Sequence, residues 1–327
     1  MTRITTALWP GVLLALGLLA APAQAQFSRT YVSAATGSDA NSCGFGAPCR
    51  SFQRAHDQTN SDGEITVLDP GDYTDPNANA NQGFGLTIRK SISIVNDGGG
   101  EASIQVSAGQ VGIDIVAGPG AYINLRGITV QGVGGVNGLQ FSGGFSLTIT
   151  NCVFRNLNGI GILVFTNSSS NLSVSNTLVA DNGSSGISIT LGSGTTVKAV
   201  FSRVELYNNS LDGIALEGAG RTGTINATVV DSVAANNHGV GFNAETFGSG
   251  GTPRVSLTVV RSVSANNGTG LNAGGAATIT LRVAQSVVTG NATSWSASGG
   301  AVLQSYADNK IDGNGDASPT PFLIVKK

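Results

Sequence analysis

Apolar and polar residues alternate with period two in short runs along this chain, and the runs recur. Seven of them line up: Leu125-Arg-Gly-Ile-Thr-Val, Ile149-Thr-Asn-Cys-Val-Phe, Val174-Ser-Asn-Thr-Leu-Val, Val200-Phe-Ser-Arg-Val-Glu, Val229-Val-Asp-Ser-Val-Ala, Val259-Val-Arg-Ser-Val-Ser and Val283-Ala-Gln-Ser-Val-Val. Tyr306-Ala-Asp-Asn-Lys-Ile begins an eighth. Eight positions after each of the last six leading residues stands an asparagine: Asn182, Asn208, Asn237, Asn267, Asn291 and Asn314. A second run follows each turn, as in Gly138-Leu-Gln-Phe, Gly161-Ile-Leu-Val, Gly186-Ile-Ser-Ile, Gly213-Ile-Ala-Leu, Gly241-Phe-Asn-Ala and Gly270-Leu-Asn-Ala, with Gly112-Ile-Asp-Ile one coil earlier. Period two predicts strands with one face inward. Recurrence at nearly even intervals predicts stacked coils, each too small to bury its own apolar face.

Stacking at about 4.8 Å per rung pairs each strand with its equivalent above and below, and like residues then form interior ladders. Asparagine suits such a ladder, because it tolerates left-handed turn backbone and its amide can bond the amide of the next rung. The six asparagines are therefore predicted to be structural. Before the regular coils, Ile65 to Leu68, Leu86 to Ile88, Ile92 to Val95 and Ile104 to Val106 read as less regular strands. Ser51 to Gln58 is the best helix candidate, with Phe52 and Ala55 on one face to cover the open end of the stack, since an uncapped solenoid presents unpaired strand edges. At the other end, Ser318-Pro-Thr-Pro321 stops regular pairing and Phe322 to Val325 is expected to fold over the last rung.

These coils, with the entry segments Thr30-Tyr-Val-Ser, Pro48-Cys-Arg-Ser-Phe52 and Leu68-Asp-Pro-Gly-Asp-Tyr73, resemble the right-handed parallel β-helix repeat proteins of the pectin-lyase-like superfamily. The resemblance covers nearly all of the chain after position 25. It implies an all-β fold, a single-stranded right-handed parallel β-helix with a short N-terminal capping helix, divided as a leader at 1–25, an N-terminal cap at 26–64, the helix proper at 65–317 and a C-terminal cap at 318–327. Its implied partner is an acidic or neutral polysaccharide, and its activities range from lyases and hydrolases to adhesins, so the fold does not choose among them.

The segment 1–25 differs in kind. Arg3 gives a positive start, Ala7 to Ala21 is apolar, and Ala23-Gln24-Ala25 is a small-residue cleavage site, the pattern of a secretory leader with the mature chain starting at Gln26. No other run is long enough to span a bilayer, so a secreted, cell-surface or periplasmic monomer is expected. Charged residues make up only 11% of the chain and the net charge is -2, which leaves no basic stripe for nucleic acid. Cys43 and Cys49, six residues apart in a Gly/Pro-rich stretch, are expected to close a disulfide loop in an oxidising compartment. A metal pair is the alternative, but two thiols and a nearby His56 fall short of a tetrahedral set. Cys152 reads as a small buried residue.

Candidate chemistry is sparse. The paired aspartates and Gly-His-Gly of polygalacturonase-like members are missing, as is the acidic calcium cluster with arginine of pectate lyases. His238, in Asn237-His238-Gly239, falls in a turn. Glu217 and Glu245 align on adjacent rungs and point outward, so they are the candidate catalytic pair: two carboxyls about 5 Å apart can act as acid and nucleophile in a retaining glycosidase, or share a calcium ion. Calcium is the one cofactor this pair admits, and no dedicated calcium motif supports it; Asp312-Gly-Asn-Gly-Asp316 reads as a turn. Asp231 and Arg261 are expected to form a rung-to-rung ion pair near Arg203 and Glu205. No serine nucleophile can be assembled without a positioned base. The expected role is a non-catalytic extracellular or cell-surface module meeting polysaccharide, with a polysaccharide lyase or glycoside hydrolase using Glu217 and Glu245 as the alternative.

Overall fold

The computed structural model describes residues 27–78, 83–248, 250–317 and 319–324. The expected leader at 1–25 lies outside the described residues, as do Ser318 and Val325 of the expected C-terminal cap. The described residues wind as a parallel β-solenoid, with one sheet of twenty strands and a second of nine among them. Each regular coil contributes two segments to the first sheet and one to the second, for example Ser146–Thr150, Val153–Arg155 and Ile162–Thr166. Equivalent strands of neighbouring coils pair in parallel.

The interior is built from columns. Leu125, Ile149, Val174, Phe201, Val229, Val259 and Val283 stack in one register and are buried. On the second sheet, Ile113, Leu139, Ile162, Ile187, Ile214, Phe242 and Leu271 do the same. The sequence alignment misplaces two coils, the first of them at Val200. It sets Val200 beside Val174, whereas Phe201 pairs with Val174; Phe201 is fully buried and Val200 is 48% exposed. Two adjacent apolar residues leave the period ambiguous, and a slip of one residue exchanges the two faces. The eighth coil slips likewise, since Ser305, not Tyr306, pairs with Val283.

The same slip corrects the asparagine ladder. Its members are Asn182, Asn209, Asn237, Asn267, Asn291 and Asn314, each amide donating to the next rung's amide oxygen at 2.9 to 3.0 Å. That oxygen also accepts the backbone N–H of the rung below, as from Asn209 to Asn237 at 3.1 Å. Asn208 is exposed and bonds Asp181 instead. Left-handed backbone falls on the residue before each ladder position, at Asp181 (φ 58), Asn208 (φ 54), Asn236 (φ 60) and Asn266 (φ 56). Turn strain and ladder bonding, assigned above to one asparagine, are thus divided between two neighbours.

A second ladder went unread in the sequence. Ser232, Ser262 and Ser286, fixed by the Asp-Ser-Val, Arg-Ser-Val and Gln-Ser-Val triplets, are buried at the corner within the first sheet. Each hydroxyl accepts the backbone N–H of the previous rung at 3.1 Å, from Val204, Ser232 and Ser262 in turn. Each also donates to the carbonyl two residues back, so corner backbone that strands leave unpaired is satisfied. Cys152 is buried near the start of this column as a free thiol.

At the N-terminal end the helix runs Phe52–Gln58, capped by Ser51, whose hydroxyl accepts the Arg54 N–H at 3.2 Å. Phe52 is buried against Tyr73, ring centroids 4.9 Å apart. Cys43 and Cys49 are disulfide-bonded. At the other end Phe322–Leu323 pairs with Val302–Ser305, yet Phe322 and Leu323 are 72% and 62% exposed. They lengthen the first sheet and do not cover the last rung; Trp295 is held there by its indole N–H donating to the Pro319 carbonyl at 2.7 Å. Among the described residues no helix is long and apolar enough to cross a membrane.

Candidate functional site

Period-two alternation turns one set of side chains on the first sheet out to solvent. On adjacent rungs these are Tyr122, Ser146, Asn171, Lys198, Asn226 and Ser256, in register. Beside them run Asn124, Thr148, Ser173, Val200, Thr228 and Thr258. Ser146 to Ser256 of the first column and Ser173 to Thr258 of the second line a groove of about 570 Å³, and a smaller one of about 300 Å³ continues it past Lys198 to Phe145. Phe145 and Tyr122 close that end as an edge-to-face pair with centroids 5.3 Å apart, 38% and 54% exposed.

This face is made by the first segment of each coil, ahead of the corner: 122–126, 146–150, 171–175, 196–202, 224–230, 254–260 and 279–284. Its outward positions carry hydroxyls, amides, the apolar Val200, Val230, Val260 and Ala284 and the cations Arg126, Lys198, Arg254 and Arg282, and no carboxylate or imidazole. Glu205 lies past the corner, outside the face. Sequence reasoning passed over this surface, although Asn171-Leu-Ser173, Lys198-Ala-Val200, Asn226-Ala-Thr228 and Ser256-Leu-Thr258 repeat the outward-inward-outward pattern that signals it.

The two candidate glutamates sit elsewhere, on the outer face of the second sheet. Glu217 and Glu245 pair directly across adjacent rungs, as their alignment predicts. Thr190, one rung below, donates its hydroxyl to Glu217 at 3.0 Å. Asp212 joins them: its carboxylate accepts the Val240 N–H at 2.7 Å and the Asn243 amide at 2.9 Å. Asn243 is itself buried and accepts from Asn272 at 2.8 Å, so an amide chain holds the acids in place. Partial burial raises the pKa of all three carboxyls, and the charge of Asp212 adds to the rise at both glutamates. Neither groove described above is lined by Glu217 or Glu245. Among the described residues, no group of three or more His, Cys, Asp or Glu side chains converges as a metal site.

Raised carboxyl pKa values have a thermodynamic sign. The folded state holds these protons more tightly than the unfolded chain, so the stability linked to them is full below the unfolded pKa and is lost as pH rises through the folded pKa. Asp69 acts in the reverse direction: burial pushes its pKa up, but hydrogen bonds from Ser33, Tyr73 and the backbone prevail and hold it low. A Glu217→Gln, Glu245→Gln double variant isolates the raised pair. Its melting temperature relative to wild type is expected to be more favourable at about pH 7 than at about pH 4.5. An equal difference at both pH values in calorimetry would show that the two acids ionise as they do in the unfolded chain.

A second groove of about 580 Å³ follows the corner of the first sheet, lined by Arg203, Glu205 and Asp231 among others. Arg261 meets Asp231 through two bonds of 2.7 and 3.0 Å, the rung-to-rung pair expected from the sequence, and Arg203 donates to Asn176 at 2.6 Å. Arg203, Asp231 and Arg261 all occupy left-handed backbone at the corner. His238 is exposed in its turn, with its backbone N–H bonded to the Asn209 carbonyl.

The sequence model of the family described as "Right handed beta helix region" matches residues 77–201 and 104–259, together more than half of the 327-residue chain. The chain belongs to this family. Membership supplies the right hand of the β-helix. Among solved structures, the β-helix is similar to one titled "Crystal structure of pectate lyase Pel9A", with a TM-score of 0.60 and 21% identity over 92% of this chain and 78% of that one. A second, titled "Rhamnogalacturonan lyase", has a TM-score of 0.47 and 16% identity over 80% of this chain and 74% of that one. At such identities the pectate lyase likeness speaks for the fold. A comparison with curated protein sequences gives no significant match.

Proposed function

We propose that this β-helix is an exported, non-catalytic module that holds a polysaccharide along the groove over its first sheet. The observation that carries this reading is the absence of any carboxylate or imidazole from the outward positions of the seven segments ahead of the corner, where hydroxyls and amides repeat rung by rung. Such a surface can hydrogen-bond sugar hydroxyls at a spacing of about 4.8 Å, and an aromatic edge at its end can meet a sugar ring. It lacks the carboxylate pair that glycoside hydrolysis uses and the carboxylates that bind calcium. Export is supported by the leader-like segment 1–25 and by the Cys43–Cys49 disulfide, which suits an oxidising compartment.

The alternative, a polysaccharide lyase or glycoside hydrolase, draws on Glu217 and Glu245. A carboxyl that keeps its proton at higher pH is the kind that serves as a general acid. The pair nevertheless belongs to the other sheet from the groove-lining strands, and its acids are engaged by Thr190 and Asn243.

Groove binding is tested by affinity electrophoresis of the mature protein in gels containing single plant or microbial polysaccharides, beside an Asn226→Trp variant. The new indole fills the groove floor from an outward position, so the interior columns are untouched. Retention of wild type by at least one polysaccharide and a loss of about tenfold or more in the variant are expected, as for removal of a central contact. Equal retention of the two proteins would place binding somewhere other than this groove.

A further inference from the structure

Lys198 stands on the middle rung of the five that line the groove, and it is the only charged residue in that lining. Among the described residues it forms no ion pair; those of Arg29, Arg126, Arg155 and Arg261 all lie outside the groove. Arg254 and Arg282 flank the far end outside the lining, where Arg282 donates to the Ser256 hydroxyl at 3.4 Å. The rungs on either side of Lys198 present Asn171 and Ser173 below, and Asn226 and Thr228 above. Farther below, the floor meets the aromatic pair, Phe145 two rungs from Lys198 and Tyr122 three. The groove therefore has one cationic position on its floor, an uncharged hydrogen-bonding surface about 20 Å long, and an aromatic wall about 10 Å from the cation.

We propose that the ligand is a sparsely anionic polysaccharide: one acidic sugar seated at Lys198, neutral sugars on the flanking rungs, and one of these against Tyr122 and Phe145. This rests on the groove reading above and names its ligand class. A polymer with an acid on every sugar brings a carboxylate to each rung, yet the lining itself supplies a counter-charge at Lys198 alone, with Arg254 and Arg282 only beside the Ser256 end. Every other carboxylate gives up water for neutral amides and hydroxyls, which compensate an ion poorly. A wholly neutral polymer leaves the lysine without its partner. Charge complementarity thus favours an intermediate density, and the aromatic wall adds affinity that is independent of charge.

The test uses affinity electrophoresis of the full mature chain on one backbone at three charge densities: hydroxyethyl cellulose, carboxymethyl cellulose of low substitution and carboxymethyl cellulose of high substitution. Wild type is expected to be retained most by the low-substitution polymer. Lys198→Gln is expected to lose about threefold in affinity for that polymer, with little change for the neutral one, as for a solvent-exposed charge contact. Added salt should abolish the difference between the two proteins. Phe145→Ala is expected to weaken binding of all three polymers alike, by about fivefold. Retention that climbs steadily to the high-substitution polymer, or a lysine variant that binds the low-substitution polymer as wild type does, overturns the ligand class while leaving the groove in place. Retention of none of the three polymers, with Asn226→Trp binding other polysaccharides as wild type does, overturns the groove itself and this inference with it.

Discussion

An Asn237→Val variant is expected to lose about 3 to 5 kcal/mol of stability, while His238→Ala, at the neighbouring residue, changes it by less than about 0.5 kcal/mol. Asn237 accepts both the backbone N–H and the side-chain amide of Asn209, at 3.1 and 2.9 Å, and donates to the Leu206 carbonyl and to Asn267. Valine fills much of the volume and returns none of these bonds. The Asn209 N–H, one hydrogen of its amide and the Leu206 carbonyl lose this partner in a dry interior, each costing roughly 1 to 3 kcal/mol before relaxation recovers part of it, while the Asn267 oxygen keeps the backbone N–H of residue 237 at 3.0 Å. The loss is local to two rungs, so the melting transition should broaden as well as fall, since solenoid stability is summed from neighbour contacts. His238 is exposed and its bond to the Asn209 carbonyl is made by backbone, which alanine keeps. Equal melting temperatures for the two variants would remove the ladder from the forces holding the stack.

The second large effect tests the register. Phe201→Ala is expected to cost about 3 to 5 kcal/mol, as for a buried aromatic truncated in a packed core, whereas Val200→Ala costs less than about 0.5 kcal/mol. Phe201 sits fully buried between Val174 below and Val229 above. Val200 faces the groove between Ser173 and Thr228 and is half exposed. Urea unfolding gives both values, and a larger loss at Val200 would mean that the coil is wound one residue out of step with its neighbours.

Those two sites also mark how far the sequence could be read. Repeats with clear alternation, such as that led by Ile149, fall in their columns, because a single apolar residue flanked by polar ones leaves no choice of face. Val200-Phe201 offers two apolar candidates in succession, and Asn208-Asn209 offers two asparagines, so spacing alone chose the wrong member of each pair. The coil turns are variable in length, and only the bonded partner above and below fixes the count. The serine column was legible in retrospect from the recurring Ser-Val dipeptide, but a buried serine looks like a surface one until the orphan N–H that it satisfies is known.

For the site, the vertical pairing of Glu217 with Glu245 and the Asp231–Arg261 ion pair followed from alignment, since residues at equal positions in successive coils become neighbours. Asp212 was invisible to that logic. It lies in the turn before its strand and reaches the acids through Asn243, a contact made by side-chain geometry and not by coil position. The groove was missed for the opposite reason: its residues are common and mostly uncharged, and no single one of them draws notice. What distinguishes the face is a property of the whole surface, its cations without carboxylates, which emerges only after the strands are placed side by side.

The most direct test of a binding role is to incubate the chain from Gln26 onward with the polysaccharide that retains it and to follow reducing ends and unsaturated products, with and without calcium, beside the Glu217→Gln, Glu245→Gln double variant. Retention with no product from either protein is the expected result. Product released by wild type and lost in the double variant would contradict it, and would make the second sheet, not the first, the working face of this β-helix.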